Sequence, residues 1–237
     1  AQNFVNDTRA NAGGVRSRLS ASAAANFHLR AGVEVQSPGD LTVSVNEATT
    51  ATNQTTPALH LRGWNLGLWR FGSGTADAGF SQEPSVLTLR ANGNINLNSS
   101  IGDGFNPATN RLMNEWGFLT ADNAATPNVR EDNSWSMRIA AGADLAAANP
   151  LAVNAAGTGN VALANNKLVR TGNGSIDIAA GGNLNLAGAG AVIYTAGAAG
   201  PAYSDYALPN LGLLTQSPPL IRRPQFPQDG GDLTIRV

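Results

Sequence analysis

The sequence predicts an all-β chain wound as a right-handed parallel β-helix, and three observations carry that prediction. The first is internal repetition, which decides architecture before any local feature does. Leu87-Thr88-Leu89-Arg90-Ala91-Asn92-Gly93-Asn94-Ile95-Asn96-Leu97 and Ile176-Asp177-Ile178-Ala179-Ala180-Gly181-Gly182-Asn183-Leu184-Asn185-Leu186 share one spacing. Two apolar residues two apart are followed, six residues after the second, by a third. Met137–Leu145 and Phe27–Val35 read as looser copies, and Leu233–Val237 as the first half of another. The second observation is alternation of apolar and polar residues in each half, the period of a strand. The third is the small linker between halves, Ala-Asn-Gly-Asn at 91–94 and Ala-Gly-Gly-Asn at 180–183, where Gly and Asn tolerate a tight corner. A strand–corner–strand unit has one apolar face and buries it only by stacking on its neighbours.

The elements follow in order. Residues 1–26 are polar and Ala-rich, with weak strand signals at Phe4-Val5 and Val15–Leu19. Leu41–Val45 alternates as a strand after the turn Pro38-Gly39-Asp40. Residues 46–57 are a Thr- and Asn-rich loop, Leu59–Arg62 opens the next strand, and Trp64–Phe71 carries Trp64, Trp69 and Phe71. Residues 102–134 break the pattern and read as an irregular insertion that holds Trp116 and a group of acids. Strands resume at Trp135–Ile139 and continue through Val161–Leu163, Ile176–Leu186 and Ala191–Tyr194. A second insertion, 198–232, holds Pro201, Pro209, Pro218, Pro219, Pro224 and Pro227, which cannot donate to a ladder. The 237 residues thus read as a single β-helix segment with two side excursions. Asn is about as frequent as the 27 Gly; at equivalent corners its side chain either stacks along the axis or serves only as a turn residue.

Composition narrows the function classes. A net charge of −1 with 13% charged residues lacks the basic stripe of a nucleic-acid binder. Arg30, Arg90, Arg138 and Arg236 fall at the outward repeat position, where they are expected to solvate a sheet face. No apolar run reaches the ~18 residues of a membrane-spanning helix. The chain has no Cys, opens without Met and stops in mid-repeat, and we read it as a segment of something longer.

Little in the sequence points to catalysis. Polysaccharide-degrading β-helices need positioned carboxylates, and the candidates are Asp103, Glu115, Asp122, Glu131 and Asp132, with Arg111 and Arg130. His28 and His60 lie on separate strands with no recurring partner, so no metal site is expected. The Gly-rich pieces lack the Lys-Ser/Thr of a phosphate loop. No cofactor is expected. Trp64, Trp69, Trp116, Tyr203 and Tyr206 are the candidates for ligand or partner contact, because aromatics offer large contact area. The competing reading of the aromatics is that they pack excursions onto the shaft.

Leu59–Phe71, Ser85–Phe105, Ser134–Val153, Leu168–Gly197 and Gly230–Val237 together carry a family likeness. In wording and order they resemble the filamentous-haemagglutinin-type exoproteins of Gram-negative bacteria, in the part beyond the amino-terminal secretion domain. The resemblance implies a β-helical shaft exported by two-partner secretion through an outer-membrane pore and displayed outside the cell. It also accounts for the missing Cys, since disulfides hinder threading through a pore. Expected partners are that pore during export, neighbouring β-helix segments or copies end to end, and a host-cell or cell-surface glycan receptor. The expected function is that of a non-enzymatic adhesin or filament segment. The alternatives are a β-helical polysaccharide lyase or hydrolase and the stalk of a toxin-delivery exoprotein.

Overall fold

Alternating apolar residues set short strands, and the corners between them set how those strands stack. The computed structural model describes residues 32–44, 63–71, 83–105, 129–130, 132–198, 203–204, 221–222 and 228–237. The first sheet has the order β1 (Gly32–Ser37), β4 (Val86–Ala91), β7 (Ser136–Ala141), β10 (Ile176–Ala180) and β15 (Leu233–Arg236). The second has the order β2 (Leu41–Val43), β5 (Ile95–Leu97), β8 (Val161–Leu163) and β11 (Leu184–Leu186). The third has β3 (Gly63–Asn65), β6 (Ser100–Gly102), β9 (Leu168–Thr171) and β12 (Val192–Thr195). Every pairing within these three sheets is parallel. The chain visits first, second and third sheet in that order four times, and β15 opens a fifth circuit. β13 (Tyr203–Ser204) and β14 (Ile221–Arg222) form a separate antiparallel pair. The described residues contain one 3₁₀ turn, Leu66–Leu68, and no α-helix.

In-register parallel pairing places like residues over like. One column of the first sheet runs Val33, Leu87, Met137, Ile176, Leu233, and the next runs Val35, Leu89, Ile139, Ile178, Ile235. Ile95 over Val161, Leu97 over Leu163, and Ile101 over Val169 supply the columns of the other two sheets. All six of those side chains are fully buried. Burying one such side chain is worth roughly 1.5–3 kcal/mol, so the columns are the main stabilising element. Ala91, Ala141 and Ala180 share a buried column where the first sheet turns into its corner.

That corner is held by a hydrogen-bonded side-chain ladder. Asp40 Oδ1 accepts from Asn94 N (2.7 Å) and Nδ2 (3.2 Å). Asn94 Oδ1 accepts from Asn160 N (2.9 Å) and Nδ2 (3.2 Å), and Asn160 Oδ1 from Asn183 N (2.8 Å) and Nδ2 (3.3 Å). The backbone answers in the opposite sense: Leu41, Ile95 and Val161 N–H donate to the carbonyls of Asn94, Asn160 and Asn183. Each ladder residue follows a glycine. A Cβ on Gly93 would meet Asp40 Oδ1 at 2.2 Å, and one on Gly182 would meet Asn160 Oδ1 at 2.6 Å. The stacked asparagine, left open against a plain turn role in the sequence, is thus a structural device of this corner.

Three sequence expectations change. The copy at Phe27–Val35 is out of phase: Val33 and Val35 pair with Leu87 and Leu89, so they form a first half, and Leu41-Thr42-Val43 is the second. Residues 27–31 lie outside the described residues. The copy at Met137–Leu145 is likewise incomplete, because its second half is Val161–Leu163, reached after an excursion over residues 143–158. Gly142 and Gly159 pinch the neck of that excursion so closely that a Cβ on Gly159 would lie 2.1 Å from Gly142 N. Finally, Arg90 does not solvate a sheet face. It is 4% exposed beneath the excursion, and donates to Glu34 (3.0 Å), to the Asp144 carbonyl and to the Ala147 carbonyl (3.3 Å).

Candidate functional site

The acids singled out in the sequence are partly brought together. The 3₁₀ turn Leu66–Leu68, capped by Asn65 Oδ1 accepting from Gly67 N–H, delivers Arg70 against the segment that follows β6. Arg70 Nη1 and Nη2 donate to both oxygens of Asp103 at 2.7 and 3.0 Å, with the Asp103 side chain wholly buried. Asp103 Oδ2 also accepts from Trp135 N–H at 2.8 Å. Arg70 Nη2 lies 3.7 Å from Asp132, which Arg130 holds through Nε (2.6 Å) and Nη2. Two guanidinium groups and two carboxylates therefore form one charge network. Bidentate Arg–carboxylate pairs combine strength with fixed geometry.

Aromatic side chains back this network. Trp135 is fully buried, its Nε1–H donates to the Trp69 carbonyl at 2.8 Å, and its ring packs 5.6 Å from that of Phe71. The network therefore clamps three stretches distant in sequence: Trp69–Phe71, the turn after β6, and the entry to β7. Chemically it is a strut. Both oxygens of each carboxylate accept from a guanidinium, whereas hydrolytic catalysis needs one carboxyl to give a proton and the other to act on water or sugar.

The remaining candidates are dispersed. Trp64 pairs with Ile101 and is half-buried against the hydrophobic core. Trp69 is the most exposed described tryptophan, at 39%. Tyr203 lies in β13, opposite Arg222. Trp116, Tyr206, Glu115, Asp122, Glu131, Arg111, His28 and His60 lie outside the described residues. Among the described residues no three His, Cys, Asp or Glu converge as metal ligands, and no helix is long and apolar enough to cross a membrane.

The sequence also gave no warning of a second cluster, on the third sheet. The Arg170 guanidinium stacks 3.7 Å over the Phe105 ring and donates to Tyr194 Oη at 3.0 Å. The Phe105 and Tyr194 rings meet edge to face at 6.2 Å. Tyr194 was legible only as part of the strand Ala191–Tyr194, and its partner is fixed by the register that sets it over Arg170.

Compared with known proteins, the chain matched no family model, no curated protein and no solved structure.

Proposed function

We propose that the three sheets are the walls of one right-handed parallel β-helix, and that the chain is a shaft segment of a secreted surface adhesin or filament. The observation that carries this reading is the fixed order of the circuits, with like residues stacked in register on every wall. A strand, crossover and parallel strand in one sheet is right-handed in nearly all proteins, which supports the hand. Each circuit pairs with both neighbours, so a stack resists unfolding and holds its excursions away from the axis. The resemblance to filamentous-haemagglutinin-type exoproteins supports an extracellular location on a Gram-negative bacterium, export through an outer-membrane pore, and a glycan receptor on a host or neighbouring cell. On this reading the protein does no chemistry of its own and needs no cofactor. The shaft reading also covers the stalk of a toxin-delivery exoprotein.

Sequencing the full reading frame and its neighbour tests the export route: a secretion domain upstream and an adjacent gene for an outer-membrane pore are expected. A short stand-alone frame with neither would overturn it. Binding of the purified chain to cell-surface glycans tests adhesion. The second reading, a polysaccharide-degrading enzyme, draws on the meeting of Asp103 and Asp132 at one guanidinium. Release of unsaturated or reducing ends from acidic polysaccharides would favour it over the shaft.

A further inference from the structure

The sequence contains two Asn–Gly pairs, Asn92-Gly93 and Asn173-Gly174. In such a pair the glycine nitrogen can attack the asparagine side-chain carbon, because no Cβ hinders the close approach. At Asn92 that nitrogen is taken up: Gly93 N–H donates to the Gly39 carbonyl at 3.0 Å. A carbonyl oxygen has no proton to pass on. At Asn173 the partner is a hydroxyl. Gly174 N–H donates to Ser134 Oγ at 2.8 Å, and the same Oγ donates to Asn173 Oδ1 at 3.3 Å. Ser134 N–H also donates to Asn173 Oδ1, at 2.8 Å. Asn173 Nδ2 donates to Asn133 Oδ1 at 2.7 Å. The attacking nitrogen, the carbonyl oxygen and the side-chain amine thus each meet a suited partner. Ser134 is buried, whereas Asn173 is half-buried at the corner between β9 and β10, where its bond to Asn133 is exposed. Packing keeps the glycine in place, since a Cβ on Gly174 would lie 2.0 Å from the Trp135 carbonyl oxygen.

We propose that Asn173 and Gly174 form a self-modifying site, at which the chain closes a succinimide with Ser134 as proton relay. The site uses contacts around one corner only, and so stands whether or not the sheets form one shaft. Gly174 N bonds to Asn173 Cγ as Ser134 Oγ takes the nitrogen's proton and passes its own to Oδ1. Ser134 N–H holds that oxygen while the carbonyl is open. The Cγ–Nδ2 bond then breaks. The Oδ1 proton goes to the departing nitrogen, which leaves as ammonia, and the carbonyl re-forms. Water opens the ring at either carbonyl and leaves an aspartyl or an isoaspartyl residue. In sum, water is consumed and ammonia released, with no oxidation or reduction. Either product places a negative charge where the neutral Asn173 side chain stood, and the change runs one way.

The experiment incubates the full chain at neutral pH and follows both Asn–Gly pairs by peptide mass mapping, with Asn92 as internal reference. In the folded chain Asn173 is expected to convert about tenfold faster than Asn92 or more, since a positioned proton relay is worth at least that factor. Both aspartyl and isoaspartyl products are expected. Ser134→Ala should bring Asn173 down to the rate of Asn92. In urea the two sites should convert alike, with or without the Ser134 hydroxyl. A folded Asn173 no faster than Asn92 would overturn the proposal, as would a conversion that Ser134→Ala leaves unchanged while Asn92 stays slow. An aspartyl product alone, the mark of direct hydrolysis, would overturn it too. Should Ser134→Ala loosen the fold, Asn92 would speed up with it, and the wild-type ratio of the two sites then decides.

Discussion

Arg70 holds Asp103 by two parallel hydrogen bonds although 33 residues separate them, and the carboxylate is wholly buried. A third bond, from Trp135 N–H, ties the same carboxylate to the entry of β7. The pair therefore ties the segment that follows β6 to Trp69–Phe71 and to the entry of β7.

Asp103→Ala leaves the Arg70 guanidinium buried without its bidentate partner and the Trp135 amide without an acceptor. Removing one member of a buried pair costs about 3–5 kcal/mol. Urea denaturation should show that loss in the midpoint. The double variant Arg70→Met/Asp103→Leu should recover a large part of it, because it removes both charges together.

The ladder makes a smaller and more local contribution. Asn160→Ala deletes the acceptor of two hydrogen bonds from Asn183 and one donor to Asn94. At roughly 0.5–1.5 kcal/mol per bond the three amount to about 1.5–4.5 kcal/mol, and the loss in unfolding free energy is expected at the lower end because the two bonds from Asn183 are exposed. Hydrogen exchange should rise first at Asn183 and at Val161, whose N–H is received by the Asn183 carbonyl.

Gly159 has φ of +97° and its would-be Cβ lies 2.1 Å from the Gly142 nitrogen. Alanine there meets both a disfavoured backbone conformation and a backbone clash that no rotamer relieves. Gly159→Ala should thus destabilise by more than the ~1 kcal/mol of a simple propensity change. Gly39→Ala, where an added Cβ meets nothing within 4 Å, is the matched control and should change thermal stability little.

Acid sensitivity has one identified contributor. The Glu34 carboxyl is held below its usual 4.5 by the hydrogen bond from the Gln36 side chain, then by the hydrogen bond and charge of Arg90, against the opposing effect of partial burial. A lowered folded-state value stabilises the fold above the unfolded value, and that stabilisation is lost as pH falls through the folded one. Glu34 is 42% exposed, so solvent screens the effect and the change is small. Wild type should exceed Glu34→Gln slightly in thermal midpoint at pH 7, and the difference should shrink as pH falls below 4.5 and the carboxyl takes up its proton.

The strand pattern was legible because it depends only on neighbours. The circuits starting at Leu87 and Ile176 read correctly from spacing, and their columns are the core. The phase of 27–35 was not, since a period of two fits either half-unit; the deciding signal was the six-residue step from Val35 to Leu41, matching Leu89 to Ile95. Gly159-Asn160-Val161-Ala162-Leu163 carried the corner signature of Gly93–Leu97 and marked the true second half of its circuit. Burial of Arg90 and the stacking of Arg170 on Phe105 had no local sign, because each depends on a segment far along the chain settling over a strand residue.

The neck between Gly142 and Gly159 separates the size of a decoration from the geometry of its support. β7 and β8 keep the same register as the circuits on either side, so the segment between those two glycines does not shift the columns; it touches β4 through the Asp144 and Ala147 carbonyls that receive Arg90. Loop-closure entropy grows only slowly with added length. The protein can therefore vary what it shows to its surroundings, by exchange or lengthening of the turn between Ala147 and Ala152, so long as the Asp144 and Ala147 carbonyls stay over Arg90.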